Sequence, residues 1–343
     1  MLRLIDANFN RASEGLRLLE DVARFLLDDA GLSEQLKSLR HSILGGDLTF
    51  QRKLLLARDS VQDVGAFAPV PDELKREDLP AIVIANARRA QESLRVLEEF
   101  AKLPSQSLDS AIFKKARFDI YEIERKLTAA LIRQDKRNKI SGVYLVLDYD
   151  ALAGRDEAEV AGQALSGGVK MIQLRDKNRE RREVLATALK LREVCSQFGV
   201  LFIINDYLDI ALASDADGLH LGQKDLPLAQ ARRLLPLDKI LGCSAKSPAQ
   251  ALQAQAEGAD YVAVGAMYPT RSKAGAIIVG LDMLRQVRAV TTLPVVAIGG
   301  INEGNAAQVI EAGADSVAVI SAIMGAENVE EAARKLAAKI GEA

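Results

Sequence analysis

The stretches "EGADYVAVG" at 257–265 and "EAGADSVAVI" at 311–320 are near-duplicates: each closes a helical pattern on a Gly and opens an apolar run two residues later. Runs of the same kind stand at 142–148, 169–176, 200–206, 217–222, 239–244, 260–268, 294–300 and 315–320. They are rich in Val, Ile and Leu without polar alternation, the pattern of strands buried on both faces. Helical patterns such as 180–198, 248–257 and 305–312 lie between them. Eight strands, each followed by a helix, over roughly 200 residues describe an α/β fold of the (β/α)8 TIM-barrel class.

Outward from the barrel, residues 1–137 carry almost no β-type patterning, and the change falls in the polar stretch "RQDKRNKISG" at 133–142. The chain of 343 residues therefore divides into an all-α domain at 1–137 and a barrel at 138–343. The first domain contains an internal repeat. "DANFNRASEGLRLLEDVA" at 6–23 and "IANARRAQESLRVLEEFA" at 84–101 are identical at ten of eighteen positions, and "SEQLKSLR" and "SAIFKKAR" repeat more weakly downstream. Apolar residues at 9, 12, 16, 19, 23 and 26, and at 87, 90, 94, 97 and 101, fall on helical spacing. Two similar helical hairpins packed as a bundle satisfy the pattern. Its polar faces suit i,i+3 and i,i+4 ion pairs, while the recurrence of Asn8 and Arg11 as Asn86 and Arg89 also suits a pocket for a phosphate or a polar ring.

Composition excludes several classes. Apolar residues at 49% and charged residues at 27% rule out disorder, collagen and a coiled-coil rod. Balanced charge, 45 Lys and Arg against 47 Asp and Glu, gives no basic field for nucleic acid, and the absence of Trp disfavours base-stacking platforms. Two cysteines, Cys195 and Cys243, are too few for a disulfide framework and fit a reducing compartment. Asp6 and Arg11 interrupt the start too early for a signal peptide, and no apolar stretch spans a bilayer. The sequence reads as a soluble, cytoplasmic protein, with a homo-oligomer open.

Barrels collect function at the C-terminal ends of their strands. Gln173, Arg175 and Lys177 alternate at the second and do not suit a dry interior. The third ends in Asn205 and Asp206, and the fourth is followed by Gln223, Lys224 and Asp225. Two carboxylates beside Arg and Lys suggest a Mg²⁺ shared with substrate phosphates, although either Asp is also a good helix N-cap. Ser244 and Lys246 follow at the fifth. The sixth opens into "YPTRSKAG", where Thr270, Ser272 and Lys273 suit either an anion-covering lid or an exposed turn. Gly299, Gly300, Ile320 and Ser321 close the circuit where barrels often bind phosphate through backbone N–H groups. Two anion sites suit a two-substrate reaction with a diphosphate leaving group and a monophosphate handle.

The ordered series "IQLRDK", "IINDY", "DGLHLGQKD", "GCSA", "YPTRSK", "AIGGI" and "VISAI" resembles the thiamine phosphate synthase family. The resemblance implies condensation of a hydroxymethylpyrimidine diphosphate with a thiazole phosphate, by a dissociative, Mg²⁺-assisted mechanism. It implies that Gln173, Arg175, Lys177, Asn205, Ser244 and Lys273 contact the pyrimidine diphosphate, with Arg175, Lys177, Ser244 and Lys273 acting on the leaving group. It further implies that Asp206 and Asp225 bind Mg²⁺, that Thr270 and Ser272 hold the thiazole phosphate, and that Gly300, Ile320 and Ser321 complete its cradle. His220 and Cys243 then support or pack rather than react. One departure is the apolar run "AIIVG" at 276–280, which bears on the geometry of the lid.

The helical domain is similar to one found ahead of such synthases and associated with pyrimidine phosphate kinase activity, which would supply the diphosphate donor from the monophosphate and ATP. A P-loop is absent, and an oligomerising or ligand-sensing module is the alternative. For the barrel the alternative is the thiazole tautomerase type, against which the pairing of Asp206 with Asp225 argues.

Overall fold

The computed structural model describes residues 1–44, 48–59, 75–104, 108–270 and 277–341, and the chain divides into two compact units, Met1–Gln134 and Asp135–Ala343. In the first, the two strongly repeated segments become α1 (Leu2–Asp21), continued by a π-helical turn at Val22–Leu26, and α4 (Leu79–Phe100). The weaker repeats fall in α2 (Ala30–Leu44) and α5 (Ser110–Asn138), and α3 (Leu48–Ala57) is an addition that the repeat does not announce. The polar stretch at 133–142 is no loop at its start: α5 continues to Asn138, because Arg, Gln and Lys are good helix formers.

Helices α1 and α4 pack on each other over a core that includes Ile5, Leu16, Leu19, Ala87, Leu94 and Leu97, all fully buried. Their approach depends on Gly15. A Cβ there would lie 2.8 Å from the Asn86 carbonyl oxygen and 3.3 Å from Ala90 Cβ. Gly15→Val is therefore expected to destabilise this unit by about 1–3 kcal/mol through overpacking. Urea unfolding of the intact chain, followed by far-ultraviolet circular dichroism, measures it; an unchanged midpoint would show that the helices separate freely.

The repeated charges have a structural use. Arg17 pairs with Glu20 at 3.3 Å and Asp21 at 3.4 Å, and Arg95 pairs with Glu98 at 2.8 Å and Glu99 at 2.7 Å. Glu20 and Glu98 keep only 5% and 6% of their side chains exposed, and each is met by a second Arg at 3.1 Å, Arg40 from α2 and Arg117 from α5. Those two arginines are the last residues of the weaker repeats. The duplication thus preserves a buried carboxylate and both of its cations.

In the second unit all eight apolar runs become parallel strands: β1 (Gly142–Asp148), β2 (Met171–Arg175), β3 (Leu201–Asn205), β4 (Gly218–Leu221), β5 (Ile240–Ala245), β6 (Tyr261–Gly265), β7 (Val295–Ile298) and β8 (Ser316–Val319). They close in sequence order, β8 pairing with β1. One apolar core lies between strands and helices; a second, containing Tyr144, Ile203, Tyr261 and Val296, fills the barrel. The ring of Tyr261 occupies space that β5 leaves open. A Cβ on Gly242 would sit 2.1 Å from Tyr261 Cζ. Among the described residues no helix is long and apolar enough to cross a membrane.

Candidate active site at the barrel mouth

Adjacent strands bring opposite charges together at their C-terminal ends. The register of β1 and β2 sets Asp148 beside Arg175, and the Arg175 guanidinium donates to the Asp148 carboxylate. Asp148 was not anticipated from the sequence; a lone Asp after an apolar run reads as a cap, and it does also accept from the Asp150 N–H at 3.1 Å. Beyond β2, Lys177 Nζ lies 3.3 Å from Asp206 Oδ2.

Asp206 takes a left-handed conformation, φ +62°, directly after β3, and its N–H donates to the His220 carbonyl at 2.9 Å. Asp tolerates that region better than most residues. Burial pushes its carboxyl up, hydrogen bonding to Asp225 and the charge of Asp225 push the same way, and Lys177 opposes them. Asp225 also accepts from the Gly222 N–H at 2.7 Å, which closes the turn after β4. Two facing carboxylates with one ammonium leave an excess of negative charge that a divalent cation would neutralise. Among the described residues no group of three or more His, Cys, Asp or Glu could hold a metal ion. The donor set fits Mg²⁺ only if water and substrate oxygens complete the shell, the usual arrangement for that ion.

Deeper in the barrel, Gln173 Nε2 donates to the Tyr144 hydroxyl at 2.5 Å, which lies 3.2 Å from the Tyr261 hydroxyl. Tyr261 meets His220 Nδ1 at 3.0 Å, and His220 Nε2 meets Ser244 Oγ at 3.0 Å. Burial pushes the imidazole down to about 4, so the ring is neutral near neutral pH, and pushes both phenols up. The two tyrosines were missed because a Tyr inside an apolar run reads as core.

On the far side, Gly299 and Gly300 adopt φ +102° and +69°, and a Cβ on Gly300 would lie 2.5 Å from the Pro269 carbonyl. These glycines admit the chain that follows β6. Ile320 precedes the short helix Ser321–Met324. Asn205 and Thr270 are half-buried, whereas Ser272 and Lys273 lie outside the described residues. Of the run at 276–280, Ile277 and Ile278 are 64% and 53% exposed, and the Val279 N–H donates to the Ala266 carbonyl at 2.8 Å. Cys195 and Cys243 are buried, their thiols pushed up to about 12 and about 11.

In the helical unit, Asn8 and Asn86 use their amides identically, donating to Leu4 and Ile82 carbonyls at 2.9 Å. Arg11 and Arg89 are exposed. An open groove of about 740 Å³ runs elsewhere, with Leu18, Val22, Phe25, Leu79 and Ile82 on its lining and Arg17 and Arg40 among its charges.

The family model described as thiamine monophosphate synthase matches residues 143–323. A thiamine-phosphate synthase of Synechocystis sp. is 42% identical over 335 residues, covering 97% of this chain and 94% of that relative. The chain belongs to the thiamine-phosphate synthase family. It is accordingly an enzyme of thiamine biosynthesis, a transferase whose substrates are those of the family. A thiamine-phosphate synthase of Thermosynechococcus vestitus is 40% identical across 99% of this chain and 95% of its own length, so the helical and barrel parts of the synthase recur together. The solved thiamine phosphate pyrophosphorylase of Pyrococcus furiosus superimposes with a TM-score of 0.56 at 40% identity, covering 60% of this synthase and 98% of that chain. The ThiD2 family model matches residues 3–126.

Proposed function

We propose that the barrel condenses hydroxymethylpyrimidine diphosphate with thiazole phosphate dissociatively, and that the helical part, residues 1–137, makes the diphosphate from the pyrimidine monophosphate and ATP. In the barrel, the bond between the pyrimidine methylene and the diphosphate oxygen breaks, and its electron pair leaves with the diphosphate. The thiazole nitrogen lone pair then captures the methylene cation. No proton transfer and no protein nucleophile are required, which agrees with two buried cysteines held protonated.

The work left to the protein is electrostatic. Arg175, oriented by Asp148, acts with Lys177, Ser244 and Lys273 on the developing charge of the leaving group, and Asn205 adds a polar contact. Gln173 grips the pyrimidine edge. Thr270 and Ser272 take the thiazole phosphate, with Gly300, Ile320 and Ser321 around it. Asp206 and Asp225 would hold Mg²⁺, which supplies further neutralisation of the diphosphate. The observation that carries this reading is the cluster of Lys177, Asp206 and Asp225 on adjacent strand ends.

For the helical part, the reading is supported by the match to the ThiD2 family and by Asn8, Arg11, Asn86 and Arg89 recurring at one offset. Supplying the intact chain with pyrimidine monophosphate, ATP, Mg²⁺ and thiazole phosphate is expected to yield thiamine phosphate, ADP and diphosphate in equal amounts. Omitting ATP should stop the reaction, and preformed pyrimidine diphosphate should restore it. Product from the preformed diphosphate alone would leave the helical part a structural or oligomerising module. No product from either donor would remove the roles assigned in the barrel.

A further inference from the structure

We propose that Tyr144, Tyr261 and His220 form a one-way hydrogen-bond relay that ties the orientation of the Gln173 amide to the hydrogen of the Ser244 hydroxyl. The inference rests on the reading of Gln173 and Ser244 as substrate contacts. Five residues from five strands form an unbroken chain through the barrel: Gln173, Tyr144, Tyr261, His220 and Ser244, with links of 2.5, 3.2, 3.0 and 3.0 Å. All but Ser244 are buried, and unpaired polar groups at such positions would be costly.

The direction follows from counting hydrogens. Gln173 Nε2 can only donate, so the Tyr144 oxygen accepts; the hydrogen of that buried phenol then has only the Tyr261 oxygen within reach among the described residues and passes to it. The Tyr261 hydrogen then passes to His220 Nδ1. A ring nitrogen that accepts carries no hydrogen, so the ring's hydrogen sits on Nε2 and goes to Ser244 Oγ. The hydrogen of Ser244 is left for the ligand. Reversing the chain would require the Gln173 amide to turn over.

Both ends then match their proposed ligands. Gln173 retains its Oε1 and a second N–H, the paired acceptor and donor that an aminopyrimidine edge demands. Ser244 offers a donor to a diphosphate, which only accepts. Tyr144, Tyr261 and His220 are buried between the two proposed contacts and act as positioning residues: the relay makes correct gripping of the ring and stabilisation of the leaving group one event.

The chain has two histidines, His41 and His220, so ¹⁵N-histidine NMR of a His41→Gln variant isolates the relay ring. The hydrogen should be found on Nε2, and Tyr261→Phe, which cuts the relay but keeps the ring, should mix the tautomers. Tyr261→Phe should also lower kcat about 10- to 100-fold with little change in KM, as expected for one hydrogen bond to a charged group. In the intact relay, the combined loss in Gln173→Ala/Ser244→Ala should fall short of the product of the single losses by about tenfold; in the Tyr261→Phe background the losses should multiply. Tyr144→Phe cuts a different link and repeats the test if Tyr261→Phe does not fold. A hydrogen on Nδ1, or losses that multiply with the relay intact, overturns the proposal. The NMR result needs no turnover, so a chain that makes thiamine phosphate with the wrong tautomer retains its proposed function and loses only the relay.

Discussion

Asp225→Asn is expected to slow diphosphate release by about 10²–10³-fold, because it weakens the hold on the Mg²⁺ that would neutralise the developing anion, a loss comparable to removing one electrostatic stabiliser. The substitution separates two uses of this residue. Asn retains an oxygen for the Gly222 N–H, so the turn after β4 and the thermal midpoint should survive. The charge is lost. Asp206, whose carboxyl is held up in part by Asp225, should move back toward the ordinary range, and Mg²⁺ should be needed at higher concentration for half-maximal rate. Asp206→Asn is the companion variant, because Asn tolerates the left-handed backbone at φ +62° where Ala would be strained. Diphosphate release measured across a Mg²⁺ titration decides it. A full rate with an unchanged Mg²⁺ midpoint in both variants would remove the carboxylates from the reaction.

Arg117→Met is expected to destabilise the helical unit by about 1.5–3 kcal/mol at neutral pH, because it removes one of the two charged hydrogen-bond partners of a buried carboxylate and leaves only Arg95. Burial by itself pushes the Glu98 carboxyl up. Hydrogen bonds from Arg117 and Arg95 outweigh that and hold it below the usual range. A carboxyl depressed by folding contributes stability that is fully present above its unfolded pKa and is lost as pH falls through the folded value. Without Arg117 the burial effect dominates and the carboxyl shifts upward, so protonation relieves the variant while it weakens the parent. The difference in urea midpoint should therefore begin to narrow above about 4.3, the ordinary Glu value, as pH falls through the variant's raised carboxyl, and continue to narrow below it as the parent loses its own contribution. A gap that does not depend on pH would show that the loss is one of packing over Phe118 and Tyr121, which Arg117 also covers.

The barrel was legible because its information is local. A Gly-ended helix followed by an apolar run recurs within a few residues, and each copy can be recognised without knowing its neighbours. Gln173, Asp206 and Asp225 stood out as candidates for a local reason too, since their polarity is conspicuous against Val and Ile. What escaped was set by pairs distant in the chain. Asp148 acquires its role from Arg175, 27 residues away, and Tyr144 from Tyr261, 117 away. Neither residue differs in type from a cap or a core aromatic, so no window of sequence contains the difference. In the helical half the repeat was visible, but α3 was not, since it has no second copy to be compared with. Arg40 and Arg117 lay inside the weaker repeat without standing out, because the buried glutamates they meet are on another helix.

Gly242 has no side chain to contribute, yet it sets the size of its neighbour. The volume a methyl group would take on β5 is filled by the phenol of Tyr261 from β6, whose hydroxyl would lie 2.4 Å from such a Cβ. The two positions are a single steric unit divided between strands, and their tolerance to substitution is a joint property. A change that looks conservative at residue 242 is, in its consequence, a change of position for the hydroxyl of residue 261.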